Sequence, residues 1–317
     1  MSALPTTRAI STSTAAIYAG AWGTFCKELE ELRIRDNSER GDMPVSEVEC
    51  LAWLNKLAED YEKNPSSVSV IANGVDYHHE SEDYAPPFKS SPKLVIALKN
   101  YRRKFNELKA DSGEAVVKRA KPMLPDDLKR FIDDSAYFTS GWRVIRDRAL
   151  FLTMFAGALR VSEAANLRPA DIKFVAKGGF EIRLRRTKTD QNASGKTVYA
   201  CDVAGFGVQE AMQRWIKARS QEPKTAGREE LFCFASSQSC ETTIRQRFNI
   251  VFPTGHGFSS HSFRRGYATH AARSKVAPIF LQKHLRHTSL ATTAKYYEDI
   301  DSRDISEEMA KLMGGGK

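Results

Sequence analysis

Four short stretches in the second half of the chain hold residue types that can carry chemistry. They read GALRVSEAANL at 157–167, RTKT at 186–189, HSFRRGYATH at 261–270 and LRHTSLATTAKYY at 285–297. Arginine binds anions through a rigid fork of charged donors, and imidazole transfers protons near neutral pH. Tyrosine and lysine add a nucleophile and a proton donor. Together these residue types favour nucleophilic substitution at an anionic group.

The order and spacing of these stretches resemble those of the tyrosine recombinases, the family of the phage integrases. The residues that carry the resemblance are Arg160, Lys188, His261, Arg264, His287 and Tyr296. A single HxxR motif is weak support, whereas the whole set in one order is specific. The resemblance runs from about Met123 to the end of the chain and is weaker at residues 13–25. It implies a site-specific recombinase or integrase that cleaves and rejoins DNA through a 3′-phosphotyrosine and a Holliday junction.

The resemblance assigns Arg160 and Arg264 to the scissile phosphate and Tyr296 to nucleophilic attack. Substitution at a phosphodiester adds charge to its non-bridging oxygens, and preorganised donors at such a site contribute on the order of 3–4 kcal/mol each. A phenol also suits a reversible cycle, because it is a competent leaving group and the bond energy is kept. These residues therefore form the expected clamp and nucleophile.

The remaining residues of the set are expected to move protons and to bind the phosphate. Because the free tyrosine pKa is about 10, His261 is expected to accept the Tyr296 proton. His287 is expected to hydrogen-bond a non-bridging oxygen, and Lys188 to protonate the departing 5′ oxygen. Glu163 is expected to brace Arg160 without taking part in proton transfer.

Several of these positions have alternatives. Lys196, across the same hairpin, is a second candidate for the acid, and Tyr297 is a second candidate for the nucleophile. Each residue taken singly is also compatible with a structural role, such as a helix cap at Arg160. Arg286 departs from the family pattern, because many relatives have glycine before the second histidine. It either contacts phosphate or only changes a turn.

Composition favours an acidic partner and gives no sign of a cofactor. The formal net charge is +9 and the pI is about 9.2, a balance typical of nucleic-acid-binding proteins as well as of some basic soluble proteins. Five scattered cysteines without a CxxC pair argue against disulfides and a zinc site. No nucleotide-binding loop, metal site or membrane-spanning run is indicated. We expect double-stranded DNA as partner, no cofactor, and a cytoplasmic, nucleoid-associated or nuclear location.

The periodicity of apolar residues predicts a mainly α protein with a small antiparallel sheet. An all-α DNA-binding domain is expected at 1–117 and an α+β catalytic domain at 118–317, with a linker near 110–121. Residues 180–185 alternate as a strand, with 196–200 as the partner strand. The polar stretch 64–93 breaks helical periodicity and is interpreted as an extended loop or insertion.

The resemblance further implies a C-shaped clamp around DNA and a homotetramer that pairs two recombination sites. An apolar stripe at 305–313 is expected to form a helix that docks on a neighbouring protomer or folds back on its own chain. Three alternatives remain at this point. The first is a type IB topoisomerase, which relaxes supercoils with similar residues, and the second is a DNA-binding accessory protein without catalysis. The third is a basic helical protein in which the motif matches are accidental.

Overall fold

The computed structural model describes most of the chain and divides it into two compact units. The described residues are 10–36, 43–113, 120–137, 140–176, 178–185, 195–203 and 205–297. Unit 1 comprises Met1–Lys118 and unit 2 comprises Arg119–Lys317. Each unit has its own hydrophobic core.

Unit 1 is built from helices in its described residues. They are α1 (Thr12–Asp36), α2 (Glu47–Leu57), α3 (Pro65–Ser81), α4 (Pro87–Ser90) and α5 (Pro92–Asp111). A capping box begins α2: the Ser46 hydroxyl accepts from the Glu49 backbone N–H, and the Glu49 carboxylate accepts from that of Ser46. Phe25, Trp53 and Leu94 are fully buried in the core that these helices enclose.

The interpretation of 64–93 as an extended loop or insertion is wrong, because this stretch forms α3, α4 and the start of α5. Asn64 caps α3 through its side chain, and Pro65 occupies the first turn, where its missing N–H costs nothing. The buried positions Val68, Ile71 and Val75 recur at helical spacing. This apolar stripe is hard to recognise in the sequence, because Ser, Asp and His are abundant around it.

Unit 2 combines helices with a three-stranded sheet, which confirms the predicted fold class. Its elements are α6 (Pro125–Tyr137), α7 (Trp142–Ala156), α8 (Val161–Ala165), β1 (Ile172–Phe174), β2 (Phe180–Leu184), β3 (Lys196–Ala200), α9 (Val208–Gln221), α10 (Ser237–Val251), α11 (His261–Arg273), α12 (Pro278–Leu285) and α13 (Leu290–Ala294). Short 3₁₀ turns occur at Pro169–Asp171 and Pro223–Thr225.

The sheet is antiparallel throughout, in the order β1-β2-β3. The predicted hairpin pairing is present, with Phe180 opposite Ala200 and Leu184 opposite Lys196. Phe180, Ile182 and Leu184 point into the core, as the alternation predicted. Strand β1 pairs with the other edge of β2 and was not predicted. The hairpin tip, residues 186–194, lies outside the described residues.

The segment leading into α6 packs tightly on α11. Lys121 N–H donates to the Gly257 carbonyl at 2.8 Å, and Met123 N–H donates to that of Ser262 at 3.0 Å. A Cβ added at Gly266 would lie 1.8 Å from the Met123 carbonyl oxygen, so only glycine permits this approach. Of the predicted linker, Ala110 lies in α5 and Lys121 is bonded within unit 2, while 114–119 are outside the described residues.

Two further features of the described residues concern their helices and their cysteines. None of the described helices combines the length and hydropathy that crossing a bilayer requires. Each of the five cysteines lies in the described part of the chain and is a free thiol.

Candidate active site

Arg160 begins α8, directly after the turn that follows α7. Its backbone is extended, with φ −78° and ψ 153°, as is usual for the residue that caps a helix. The Glu163 carboxylate accepts from the Arg160 backbone N–H at 2.9 Å and from its Nη1 at 2.8 Å. Among the described residues, the Nε and Nη2 of Arg160 have no acceptor. Glu163 therefore holds the guanidinium through Nη1, while Nε and Nη2 remain available to bind another acceptor.

Arg264 reaches the same turn from α11. Its side chain is almost fully buried, and Nη1 donates to the Ala158 carbonyl at 2.7 Å. Nη2 donates to the Leu285 carbonyl at the end of α12. Burial, followed by the nearby charges of Arg160 and Arg286, lowers the pKa of Arg264 to about 9, against the opposing effect of Glu163 and Tyr296. The guanidinium therefore remains protonated at neutral pH.

Arg286 is buried beside these two arginines. It ends α12 in the left-handed conformation, with φ 60° and ψ 36°. The Arg286 N–H donates to the Lys283 carbonyl, and the His287 N–H donates to the Gln282 carbonyl. The residue that ends a helix in this way is usually glycine. The Arg286 side chain turns inward, where Nη1 donates to the carbonyls of Gly157 and His284 at 3.2 and 2.9 Å. Nη2 donates to the Ala158 carbonyl at 2.9 Å and to Glu163 at 2.8 Å.

Glu163 is the carboxylate shared by two of these arginines. Burial pushes its pKa up, but the Arg286 charge and the Arg160 backbone N–H and charge outweigh it, so the pKa lies below its ordinary value. The carboxylate is thus ionised at neutral pH. Three guanidiniums around one carboxylate leave a surplus of positive charge, which is what an anionic substrate requires.

His287 follows Arg286 and lies beside Tyr296. The two rings are nearly parallel, with centroids 6.3 Å apart and an interplanar angle of 9°. Nδ1 of His287 lies 2.9 Å from the hydroxyl of Thr293, a fully buried residue of α13. Burial and the charges of Arg264, Arg160 and Arg286 lower the pKa of His287 to about 4. The imidazole is therefore neutral at physiological pH.

The two adjacent tyrosines differ in how their hydroxyls are used. The Tyr297 hydroxyl donates to the Val276 carbonyl, and burial raises the pKa of this phenol. Within the described residues, the Tyr296 hydroxyl has no hydrogen-bond partner. Tyr296 is half-buried at the turn after α13, where its N–H bonds to the Thr293 carbonyl at 3.0 Å.

Two more of the expected site residues are His261 and Lys188. His261 is exposed at the first position of α11, one helical turn before Arg264. Lys188 lies outside the described residues, so the expectation for it remains a prediction. Its alternative, Lys196, is exposed at the start of β3. The structure thus brings together Arg160, Arg264, His287 and Tyr296.

Two participants were not identified from the sequence. Thr293 contacts His287, and the Ala158 carbonyl accepts from two arginines. The position of Thr293 on α13, between His287 and Tyr296, is the sequence signal that could have identified it. Nothing in the sequence marks Ala158, because a backbone carbonyl carries no residue signature. Over the described residues, no group of three or more His, Cys, Asp or Glu is placed to hold a metal.

Comparisons with known proteins find similar sequences. A sequence model described as "Phage integrase family" matches residues 121–303. The chain is 24% identical over 267 residues to an integrase/recombinase XerD homolog of Selenomonas ruminantium, covering 81% of this chain and 74% of that protein. It is 26% identical over 192 residues to the tyrosine recombinase XerC of Rhodospirillum centenum, covering 58% of this chain but only 52% of that relative.

Solved structures share the fold at low sequence identity. XerH recombinase, in a post-cleavage complex with palindromic difH substrate, aligns with a TM-score of 0.57 at 16% identity, covering 93% of this chain and 78% of that one. A lambda integrase dimer bound to a COC′ core site aligns with a TM-score of 0.58 at 15% identity, covering 92% and 73%.

Proposed function

This chain belongs to the phage integrase family of tyrosine recombinases, and from this premise we propose that it breaks and rejoins DNA through a covalent link to Tyr296. Site-specific DNA recombination is the activity that family membership supports. The residue roles, the intermediate, and the assembly of four protomers on a Holliday junction are the parts proposed here. Double-stranded DNA recombination sites are the proposed substrate, at the nucleoid or in the nucleus.

One observation carries the proposal: the ring of Tyr296 lies parallel to His287, beside three guanidiniums, two of them buried, with a single carboxylate among them. A phosphodiester gains negative charge on its non-bridging oxygens as it is attacked. Fixed donors at that position stabilise this charge without reorganisation. A positive site beside a phenol with an unengaged hydroxyl suits attack of that phenol on phosphorus.

The proposed cleavage step transfers phosphorus from a sugar oxygen to a phenolic oxygen. The outward donors of Arg160, together with Arg264, bind the non-bridging oxygens. With Thr293 donating to Nδ1 of neutral His287, Nε2 carries the proton and donates to one of them. His261 accepts the Tyr296 proton, the O–P bond to the phenol forms, and the bond to the 5′ oxygen breaks. Lys188 supplies the proton for that leaving oxygen.

Rejoining is the same step in reverse and needs no external energy source. A free 5′ hydroxyl attacks the phosphotyrosine, and the phenol leaves. If the attacking hydroxyl comes from a second DNA site, strands are exchanged and a Holliday junction forms. Paired sites held by four protomers would carry out two such exchanges in turn.

The test is the capture of the covalent complex on nicked duplexes that carry inverted repeats from the DNA flanking the gene. The nick lets the short fragment that carries the freed 5′ hydroxyl diffuse away, so rejoining is prevented and the adduct accumulates. We expect a 3′-phosphotyrosine adduct with the wild type and with Tyr297→Phe, and none with Tyr296→Phe. Peptide mapping that found DNA on neither tyrosine would refute the proposal. Relaxation of supercoils without exchange between paired sites would instead favour a topoisomerase.

A further inference from the structure

We propose that Arg286 is a positioning residue, which holds Glu163 and the Ala158 carbonyl and thereby sets Arg160 and Arg264 for the phosphate. The inference rests on the proposed function, since it concerns how that site is built. It assigns a use to a residue that stands where many members of the family have glycine.

The contacts of Arg286 engage both of its Nη nitrogens inside the protein. Its two Nη nitrogens carry four hydrogens, and four acceptors of the protein lie within hydrogen-bond distance of them. Its Nε is buried and without a hydrogen-bond partner among the described residues. The side chain as a whole is 2% exposed. Arg286 therefore does not contact phosphate, and its charge acts inside the protein.

Through Glu163, Arg286 determines how much positive charge Arg160 retains. A single arginine paired with a buried carboxylate forms a neutral unit, which has little attraction for an anion. Here the carboxylate binds Arg160 through Oε1 and Arg286 through Oε2. The unit of two guanidiniums and one carboxylate is then positive, and the carboxylate is fixed from both sides. Arg160 is oriented by Glu163 without being neutralised by it.

Through Ala158, Arg286 also links the three segments that carry the site. The Ala158 carbonyl accepts from Arg286 on the segment after α12 and from Arg264 on α11. It belongs to the turn that leads into Arg160, and that turn has a positive φ of 44° at Ala158. Such a backbone conformation needs contacts to hold it when the residue is not glycine. Removing Arg286 frees one side of this turn.

The backbone conformation of Arg286 also indicates that its side chain has a function. With φ 60° it occupies a position that glycine adopts without strain and other residues rarely adopt. Backbone preference therefore favours glycine here, and only the side-chain contacts favour arginine. Arg286→Gly is consequently a clean test, because it relaxes the backbone while it removes the guanidinium.

The experiment measures single-turnover cleavage of the nicked duplex at saturating protein, together with the dissociation constant and its salt dependence. For Arg286→Gly we expect cleavage about 10- to 100-fold slower, the size of effect that displacement of a catalytic group produces. The dissociation constant should stay within about twofold, and the slope of log K against log salt should not change, since no phosphate contact is lost. A slope lower by about one unit would mean that Arg286 touches DNA, and would overturn the proposal.

Arg146 provides a matched control in the same unit. It too is a buried arginine paired with an acidic residue, Asp147, which keeps Arg247 as a second partner just as Glu163 keeps Arg160. We expect Arg146→Met to lower the melting temperature and to leave the cleavage rate of the folded protein unchanged. If cleavage falls equally in both variants, Arg286 only stabilises the fold, and the proposal is overturned.

A double-mutant cycle with Glu163→Gln separates a role through Glu163 from an independent one. If Arg286 acts through the carboxylate, Arg286→Gly costs less in the Glu163→Gln background than in the wild type. Equal costs in both backgrounds would overturn the proposal. Should Arg286→Gly not fold, Arg286→Lys replaces it; lysine lacks the planar fork, and wild-type cleavage in that folded variant would also overturn the proposal. Absence of an adduct with the wild type would refute the proposed function instead.

Discussion

The guanidiniums of Arg264 and Arg286 donate to one and the same carbonyl oxygen, that of Ala158, at 2.7 and 2.9 Å. The two arginines come from different segments, and the carbonyl belongs to the turn that precedes Arg160. The Ala158 carbonyl therefore links Arg264 to the turn before Arg160, and so holds the two expected phosphate ligands in position relative to each other. Any change that moves this turn moves the whole anion site.

Loss of Arg160 or Arg264, the two arginines expected to bind the phosphate, should slow cleavage far more than it weakens DNA binding. For Arg160→Ala we expect cleavage about 100- to 1,000-fold slower, the usual cost of removing one preorganised donor, with site binding largely intact. Arg264→Ala should behave alike and also lower the melting temperature, because the Leu285 carbonyl loses the Arg264 donor and the Ala158 carbonyl loses one of its two arginine donors. Single-turnover cleavage and filter binding measure the two effects.

The control for the arginine variants is Arg214→Ala. Arg214 is exposed on α9 and pairs only loosely with Glu210, at 3.8 Å. We expect its cleavage rate to match the wild type. Wild-type cleavage in Arg160→Ala or Arg264→Ala would remove these residues from the mechanism.

Thr293→Val should slow cleavage through His287. The substitution keeps the size of the side chain but removes the hydroxyl that lies 2.9 Å from Nδ1, so the imidazole loses its preferred tautomer and orientation. One hydrogen bond of this kind corresponds to roughly a 3- to 10-fold change in rate. Thr292→Val, at the exposed neighbouring position, should have no effect. Equal rates for the two variants would exclude this use of Thr293.

Stability should fall as the solution is acidified through the range in which histidine titrates. The pKa values of His284 and His287 are both lowered to about 4, chiefly by burial, whereas the unfolded value is about 6.5. Because the unfolded chain binds protons first, this contribution is complete above about pH 6.5 and is lost as the pH falls towards 4. Urea unfolding at pH 7.5, 6 and 5 measures the change.

The matched variant for this measurement is His284→Gln. Its pH dependence of the free energy of unfolding should be shallower than that of the wild type, since one of the two histidines no longer titrates. An identical slope for the two proteins would contradict the assignment.

Gly266→Ala should destabilise unit 2, although alanine is the better helix former. The added methyl group would lie 1.8 Å from the Met123 carbonyl oxygen, so the segment before α6 must move away from α11. Such overpacking costs about 1–3 kcal/mol or more. Gly23→Ala in α1, where a Cβ meets nothing within 4 Å, should be neutral or slightly stabilising. Equal free energies of unfolding for both variants would show that α11 tolerates the methyl group.

Much of the fold could be predicted because its signals are local. Residues 180–184 and 196–200 alternate apolar and polar positions and form the paired strands, and Ser46 with Glu49 forms the capping box. The stretch 64–93 was misjudged, because its buried stripe lies among Ser, Asp and His. A Cβ at Gly74 would come within 2.9 Å of the Ala21 side chain on α1. The close packing of α1 on α3 depends on a residue that sequence rules count against a helix.

The sequence by itself determined the family and indicated the expected reacting groups and their order, because a nucleophile, guanidinium forks and imidazoles can be read as residue types at fixed spacing. Only the tertiary structure decided how they are used. Tyr297 is tied to Val276 and Tyr296 is not, and Arg286 turns inward to Glu163, which is 123 residues away in the chain. Contacts between distant segments depend on how the helices pack. No local pattern encodes the direction in which a side chain at a turn will point.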